Sequence, residues 1–441
     1  MKYHVPMFAV ALLLSPHAPA ADVPPRALTL KEAQAIALEN QPRIRAARLA
    51  VSEAQAATRE VESAYYPLVS ASVTAAGADS FTRDRNGVPT TIDTRIAAGG
   101  LNNPTVLSRE SNGLMVDQLV TDFGRTRNLV DSSRYTSASR EEQFNTERAQ
   151  ILLEVSQAYY RALEAQAIVK VASQTLDTRQ LLLTRVTLLA QNKLKSELDV
   201  SFAKVNVEQA RLLLVQAQNA LEAAFANLST SMGYRDTRSF QLADNATTTA
   251  PPADLAALLS RAIEARPELA SLRADHNAAL KFVKAERALN YPTVNLLAVA
   301  GVTPVGDSRL GDTYEAAGIN VSVPIFNGGK YTAMEEQAKL KADSVNELLT
   351  DAENRVVRDV RIAWLDTKAG FESLDVTMHL KEYAAQALDL AQSRYNIGLS
   401  SIIDVTQAQL NETEAEIAYN RAKYEYQIQN TVLNFQIGNL R

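Results

Sequence analysis

The chain of 441 residues contains no cysteine, so disulfides, thiolate metal sites and cysteine nucleophiles are excluded. Glycine is scarce at 16 residues, and aromatics reach only 6%. Together with long tracts of Ala, Leu, Gln and Glu, that scarcity points to long helices. An excess of one charge is also missing. Lys and Arg number 45 against 50 Asp and Glu, spread along the chain for a net −5, so no basic footprint for nucleic acid stands out. After residue 20 no run of eighteen uncharged apolar residues occurs, which excludes a helical inner-membrane protein. Only His276 and His379 lie beyond that point, and neither has His-Glu-x-x-His or carboxylate companions. Gly329-Lys330 lacks the rest of a phosphate loop, and Asp122-Phe123-Gly124 lacks the other parts of a kinase site. No enzyme chemistry and no cofactor or metal is expected.

What is present begins with an export signal. Lys2, the apolar run Val5 to Leu14 and Ala18-Pro19-Ala20 read as a secretory peptide over 1–20, cleaved after Ala20. The ten apolar residues are too few for a transmembrane helix. Without cysteine a bacterial lipoprotein anchor is impossible.

The rest is one unit written twice. Pro42 and Pro267 are 225 apart (267 − 42), as are Tyr66-Pro67 and Tyr291-Pro292 (291 − 66). Further on the offset is 205: Asp199 matches Asp404 (404 − 199), Ala158-Tyr159 matches Ala363-Trp364, and Met232-Gly233 matches Ile437-Gly438. The difference, 20 residues, sits in the polar link between two expected strands of the first copy and reads as a surface loop. Repeat 1 spans 21–246 and repeat 2 spans 253–441, joined by a polar linker over 247–252.

Each repeat reads as short helix, proline-initiated helix, two strands, a very long helix and a return helix. The strands are expected over about 67–78, 112–122, 292–302 and 315–326, the long helices over 125–191 and 330–396, the return helices over 196–232 and 401–437. Both return helices open with Ser-x-x-Asp, the spacing of a capping box: Ser196 with Asp199, and Ser401 with Asp404. Gly398 suits a left-handed helix end, with Asn192 as its expected substitute in repeat 1. The first long helix carries a heptad seam from Ile151 through Val155, Ala162, Ala172 and Val186 to Ala190, with Arg179 its one polar intruder. Val356, Val360, Ala363, Thr367, Gly370 and Leu374 form the second.

The strands alternate with period two: Val69, Ala71 and Val73 against Ser70, Ser72 and Thr74, and Ile319, Val321 and Val323 against Asn320 and Ser322. Apolar outside and polar inside, at about ten residues per strand, is the pattern of a transmembrane barrel. A half-buried sheet in a soluble α+β protein is the competing reading. Four strands cannot close a barrel, and an open edge in lipid is forbidden, so closure demands further copies of the chain. Three would supply twelve strands.

With "LTLKEAQAIALENQP" near the start, "VTDFGRTR" and "VPIFNGGKY" at the strand-to-helix joints, and the duplication, the sequence resembles the TolC family of outer-membrane efflux and secretion channels. The resemblance implies a mostly helical homotrimer with a small β part: a twelve-stranded barrel in outer-membrane lipid, four strands per chain, continued by a coiled-coil α-barrel in the periplasm. Its implied partners are a periplasmic adaptor (membrane fusion) protein and an inner-membrane pump of RND, ABC or MFS type. Arg185, Leu189 and Ser196 fit the adaptor-docking pattern of one tip, and Arg394, Tyr395, Gly398, Leu399 and Ser401 resemble the other. Asp404 lies where the family places an acidic ring at the periplasmic constriction, with Asp199 its repeat-1 counterpart. Gln407 stands where a second ring carboxylate is often seen, and Ser400 where a basic latch can sit. Helix capping alone is the competing role for both aspartates. The alternative function is a secreted or surface coiled-coil adhesin or scaffold.

Overall fold

Uninterrupted helix-forming sequence and well-formed caps produce helices of unusual length. The computed structural model describes residues 27–76, 82–83, 85–87, 89–90, 109–244, 248–302 and 313–440. The expected signal over 1–20, the tail of the first strand at 77–78, most of the polar link after it and the first residue of the linker lie outside the described residues. In chain order the elements are α1 (Leu30–Asn40), α2 (Pro42–Glu62), β1 (Leu68–Ala76), a two-residue ribbon β2 (Thr82–Arg83) with β3 (Pro89–Thr90), β4 (Arg109–Thr121), α3 (Arg125–Gln191) and α4 (Glu197–Ser231). The second half continues with α5 (Leu255–Ala265), α6 (Pro267–Arg287), β5 (Thr293–Val302), β6 (Thr313–Ser322), α7 (Lys330–Asn396) and α8 (Ile402–Gln436). No helix among the described residues is long and apolar enough to cross a membrane.

The two 67-residue helices α3 and α7 each extend on the order of 100 Å. Shorter helices cover them in pairs. Against α3 pack α2 and α4 on one side, α6 and α8 on the other, and α7 lies beyond α6 and α8. The wall thus has four columns, α2/α4, α3, α6/α8 and α7. The main sheet has order β1-β4-β5-β6, all antiparallel, so each column continues into one strand. At the joints, Pro67 and Pro292 end the helices through single 3-10 turns at Ser63–Tyr65 and Ala288–Asn290.

Register explains the strand alternation. Val69 pairs with Val116, which pairs with Ala298, which pairs with Ala317; Leu296 pairs with Ile319 and Val294 with Val321. Partners in an antiparallel pair share a face, so these residues form one apolar surface. Ser70, Ser72, Thr74, Asp117, Asn295, Asn320 and Ser322 share the other, interrupted by Leu68, Met115, Leu119, Leu297 and Val299, while Asn112, Gln118 and Glu315 interrupt the apolar one. On that second face Tyr314 lies across Gly301 and Gly113, where any Cβ would collide with its ring or hydroxyl. β6 differs from expectation. It ends at Ser322, four residues before the expected 326, because Pro324 cannot donate to a ladder.

Among the described residues three larger cores and a small one, Val283 with Ala338 and Ala342, hold the helical columns. Around α1, Ala33, Ala37, Ile151, Val155, Tyr159, Ala162 and Met232 pack together; around α5, Leu258, Ala262, Leu269, Val356, Val360 and Leu433 do the same. The third lies at the far tip. Straps clasp the long helices at the first two cores. Leu28 bridges Leu242 in parallel, and the Tyr159 hydroxyl lies 2.8 Å from the Leu28 carbonyl and 2.7 Å from that of Ala243. At the matching position Trp364 Nε1 donates to the Pro252 carbonyl at 2.8 Å.

Candidate functional site

Two regions position chemistry: the sheet's apolar face and the paired tips at the opposite end of the columns. On the sheet, large apolar side chains stand in the open. Val73 is 78% exposed and Ile319 71%. Just below, at the joint with α7, Ile325 and Phe326 are about nine-tenths exposed, and Tyr66, Phe123 and Tyr291 complete an aromatic fringe. Such a surface is untenable in water, whereas an apolar band edged by aromatics suits a bilayer and its interface. Both outer strands, β1 and β6, present unpaired ladder edges among the described residues.

The tips are made by the α3–α4 and α7–α8 turns. Each return helix starts with a complete capping box. Ser196 Oγ accepts from the Asp199 N–H at 3.2 Å, and Asp199 Oδ2 accepts from the Ser196 N–H at 3.1 Å. In the second tip the corresponding distances for Ser401 and Asp404 are 3.3 and 2.8 Å. The exposed Asp404 carboxylate also accepts from the Ser401 hydroxyl at 3.0 Å. Those bonds from Ser401, aided by the charge of Arg394, hold its pKa below the ordinary value. Capping is therefore a real role of both aspartates, and it leaves the Asp404 carboxylate ionised at the helix start.

The two turns share one backbone device. Gly398 sits at φ +80°, with its N–H donating to the Tyr395 carbonyl at 3.1 Å and the Leu399 N–H to the Arg394 carbonyl at 2.8 Å. In repeat 1 the same bonds run from Lys193 to Ala190 and from Leu194 to Leu189, both at 2.9 Å. The left-handed residue there is Lys193 (φ +59°), not the expected Asn192, whose φ is −86°. The offset of 205 pointed to Lys193 all along (398 − 205); the preference of Asn for this conformation does not outweigh the position of the helix end.

One buried core joins the tips: Val186, Val200, Tyr395, Ile402 and Val405. Tyr395 is its wedge, packed from α7 between the other helices with Lys195 Nζ 4.1 Å from its ring centroid. Its buried hydroxyl has no hydrogen-bond partner among the described residues, and burial raises its pKa, reinforced by Asp199 and opposed by Arg185. The structure thus brings Arg185, Asp199, Tyr395 and Lys195 to one place. Arg185, Arg394 and Leu399 are exposed, and Leu189 is half-buried. Gln407 lies one turn past Asp404, exposed, donating to Asn411 Oδ1 at 2.8 Å. Ser400 is half-buried, its hydroxyl 3.4 Å from the Ala391 carbonyl. The sequence places Lys193 at the tip but gives the left-handed conformation to Asn192, although the repeat offset points to Lys193; nothing local marks Lys195.

The comparisons agree with this geometry. The model of the outer membrane efflux protein family matches residues 35–234 and 258–439, one stretch in each half. The chain is 22% identical to the outer membrane protein TolC of Salmonella enteritidis over 352 residues, covering 75% of this chain and 71% of that one. The solved structure of CusC, a transmembrane channel former, superposes with a TM-score of 0.78 at 19% identity, covering 98% and 99% of the two chains. The MtrE outer membrane channel of Neisseria gonorrhoeae, solved in its open state, gives 0.75 at 19% identity, covering 93% and 89%. These matches decide between channel and coiled-coil scaffold in favour of the channel. An exposed apolar sheet face, four helical columns continued by four strands, and a family model matched across both halves place this chain in the outer membrane efflux protein family, whose members are transport channels and not enzymes.

Proposed function

We propose that three copies of the chain close into one pore: a twelve-stranded barrel in outer-membrane lipid, continued by twelve helical columns through the periplasm. The observation that carries this is the open four-stranded sheet, apolar and exposed on one face, with unpaired edges at both β1 and β6. In lipid those edges must find partners, and identical neighbours supply them with β6 of one chain meeting β1 of the next. The chain is exported by its amino-terminal signal. It performs no bond chemistry, and energy comes from an inner-membrane pump of RND, ABC or MFS type.

The tips are the regulated end. Arg185, Leu189 and Ser196 on one, and Arg394, Tyr395, Gly398, Leu399 and Ser401 on the other, form the surface for a periplasmic adaptor. Three Asp404 carboxylates, each held ionised by its capping bonds, ring the constriction and favour cations there, with the neutral Gln407 one turn further along. Ser400 supplies no charge, so gating rests on the Tyr395 wedge instead. Two measurements test the reading. Asp404→Ala channels in a planar bilayer should lose cation preference; selectivity equal to wild type rejects the ring. Photocrosslinkers at Lys193 and Asn396, both exposed at the tips, should capture an adaptor in cells. Capture of none removes the docking role.

A further inference from the structure

Between the core around α1 and the tip core, the apolar seam of α3 is broken by Arg179, only 6% exposed. Its Nη1 donates to the Asn206 carbonyl of α4 at 3.0 Å, and Asn206 Nδ2 donates to Thr406 Oγ1 of α8 at 2.9 Å. Two side chains, Arg179 and Asn206, thus link three helices in series, ending two residues past Asp404. Arg179 also lines a cavity of about 470 Å³ between α3 and α8, shared with Gln409, which is 4% exposed. Two atoms in that lining are buried without a hydrogen-bond partner among the described residues: Arg179 Nε, a donor, and Gln409 Oε1, an acceptor. Leaving both unpaired penalises this conformation.

Three carboxylates, Asp177, Glu412 and Glu416, also line the cavity. Glu416 is engaged by Lys381 at 3.0 Å. Burial, reinforced by Glu416 and opposed by Lys381, raises the pKa of Glu412. Arg179 itself makes no carboxylate pair among the described residues, and burial lowers its pKa. The neighbouring contact between the two helices, Thr175 to Thr413, is long at 3.4 Å and resists sliding weakly. The equivalent of Arg179 in repeat 2 (179 + 205) is Ala384, so this polar layer occurs once per chain, at the α3–α8 boundary.

We infer that Arg179 and Gln409 are a latch for the tunnel: a hydrogen bond unmade in this conformation and made when α8 shifts along α3 to open the tip. α8 begins at the second tip and carries Asp404, so its displacement relative to α3 is what widens the constriction. This rests on the channel reading. A bond between two otherwise orphaned buried groups stabilises the shifted state without any external ligand and biases the equilibrium toward opening.

Bilayer recordings of the full assembly test it with Arg179→Leu, Gln409→Met and the double variant. Each single change should lower the open fraction about tenfold, the equivalent of about 1.4 kcal/mol, and the double variant should fall no further than the lower single. The thermal midpoint of the Gln409→Met assembly should stay level or rise, because an unpaired buried group has been removed, whereas Arg179→Leu also loses the bond to the Asn206 carbonyl. Unchanged open fractions, additive losses, or a lowered Gln409→Met midpoint each overturn the latch; the last would mean that water already bridges the pair in this conformation. Gln409→Met carries the test alone if Arg179→Leu fails to assemble. A wild-type assembly that passes no current contradicts the channel reading itself, whereas a conducting wild type matched by its variants contradicts only the latch.

Discussion

The two halves of the chain build nearly the same backbone from different residues. Their helices match in length throughout, 11 and 11, 21 and 21, 67 and 67, 35 and 35 residues. Yet both ends of α7 turn on glycine, Gly328 (φ +62°) and Gly398 (φ +80°), where α3 has Phe123 (φ +54°) and Lys193 (φ +59°). These are the only non-glycine residues with positive φ among the described residues. A side chain in the left-handed region costs about 1–2 kcal/mol. Repeat 1 offsets part of it at the barrel end, where the Asp122 carboxylate accepts from the Thr126 N–H at 2.7 Å and the Phe123 ring lies tilted at 49° to that of Tyr291, centroids 6.3 Å apart. At the tip Asn192 Nδ2 donates to the Leu188 carbonyl at 2.8 Å beside Lys193, whose own side chain is exposed. The backbone is fixed by caps and periodicity that the halves share; the distinct work of each half is written where they diverge.

The largest divergence at the tips is Tyr395, whose repeat-1 counterpart (395 − 205) is Ala190. Tyr395→Ala should destabilise the assembly by about 3–5 kcal/mol, as for other buried aromatics, and raise single-channel conductance. Ala190→Gly, on the same core but half-buried, should shift the thermal midpoint far less and leave conductance alone. If the two behave alike, the halves are not specialised.

Cap deletions should affect the halves equally. Ser196→Ala and Ser401→Ala each remove a capping box, and each should cost about 1 kcal/mol in denaturant unfolding. A clear inequality would mean that one serine has a second structural partner. The left-handed positions should respond with opposite signs. Lys193→Gly should stabilise by about 1 kcal/mol while Gly398→Ala destabilises by a similar amount. Loss of adaptor capture by the more stable Lys193→Gly protein would sharpen the distinction between strain and function.

The smallest effect concerns pH. Because the folded Asp404 pKa lies below the ordinary 3.8, its contribution is present above that value and lost as pH falls through the lower, folded one. Wild type should therefore lose stability below about pH 4 more steeply than Asp404→Asn, which keeps the cap and lacks the titration. Parallel pH curves would dissociate Asp404 from acid sensitivity.

Most of this architecture was legible because it is periodic and local. Pro42, Pro267, the Ser-x-x-Asp boxes and the strand alternation each act within a few residues, and the long helices end where the sequence says they should, at Gln191 and Asn396. What escaped depends on distant chain. Tyr159 is buried, beside the half-buried Ala158 of the heptad seam, because the strap through Leu28 and Ala243 covers it, and periodicity carries no trace of a strap. Pro324 was visible and should have ended β6 earlier. At the tips, the docking pattern named Arg185 and Tyr395 separately, while their meeting with Asp199 and Lys195 depends on how two hairpins 200 residues apart pack. Arg179 stands out in sequence as an intruder, but Gln409, its companion across the cavity, sits on an unremarkable helix face.

The absence of cysteine makes the central claim open to a background-free measurement. Cysteines introduced at Ser72 on β1 and, in turn, at Gly318, Asn320 or Ser322 on β6 lie on the same face of the sheet at its opposite edges. In outer-membrane preparations at least one pair should oxidise to a covalent three-chain ring that resists denaturing detergent, while single-cysteine controls stay monomeric. If every pair leaves only separate chains, and the protein is monodisperse as a single chain in detergent-free buffer, the two edges do not meet between neighbours and no shared barrel exists.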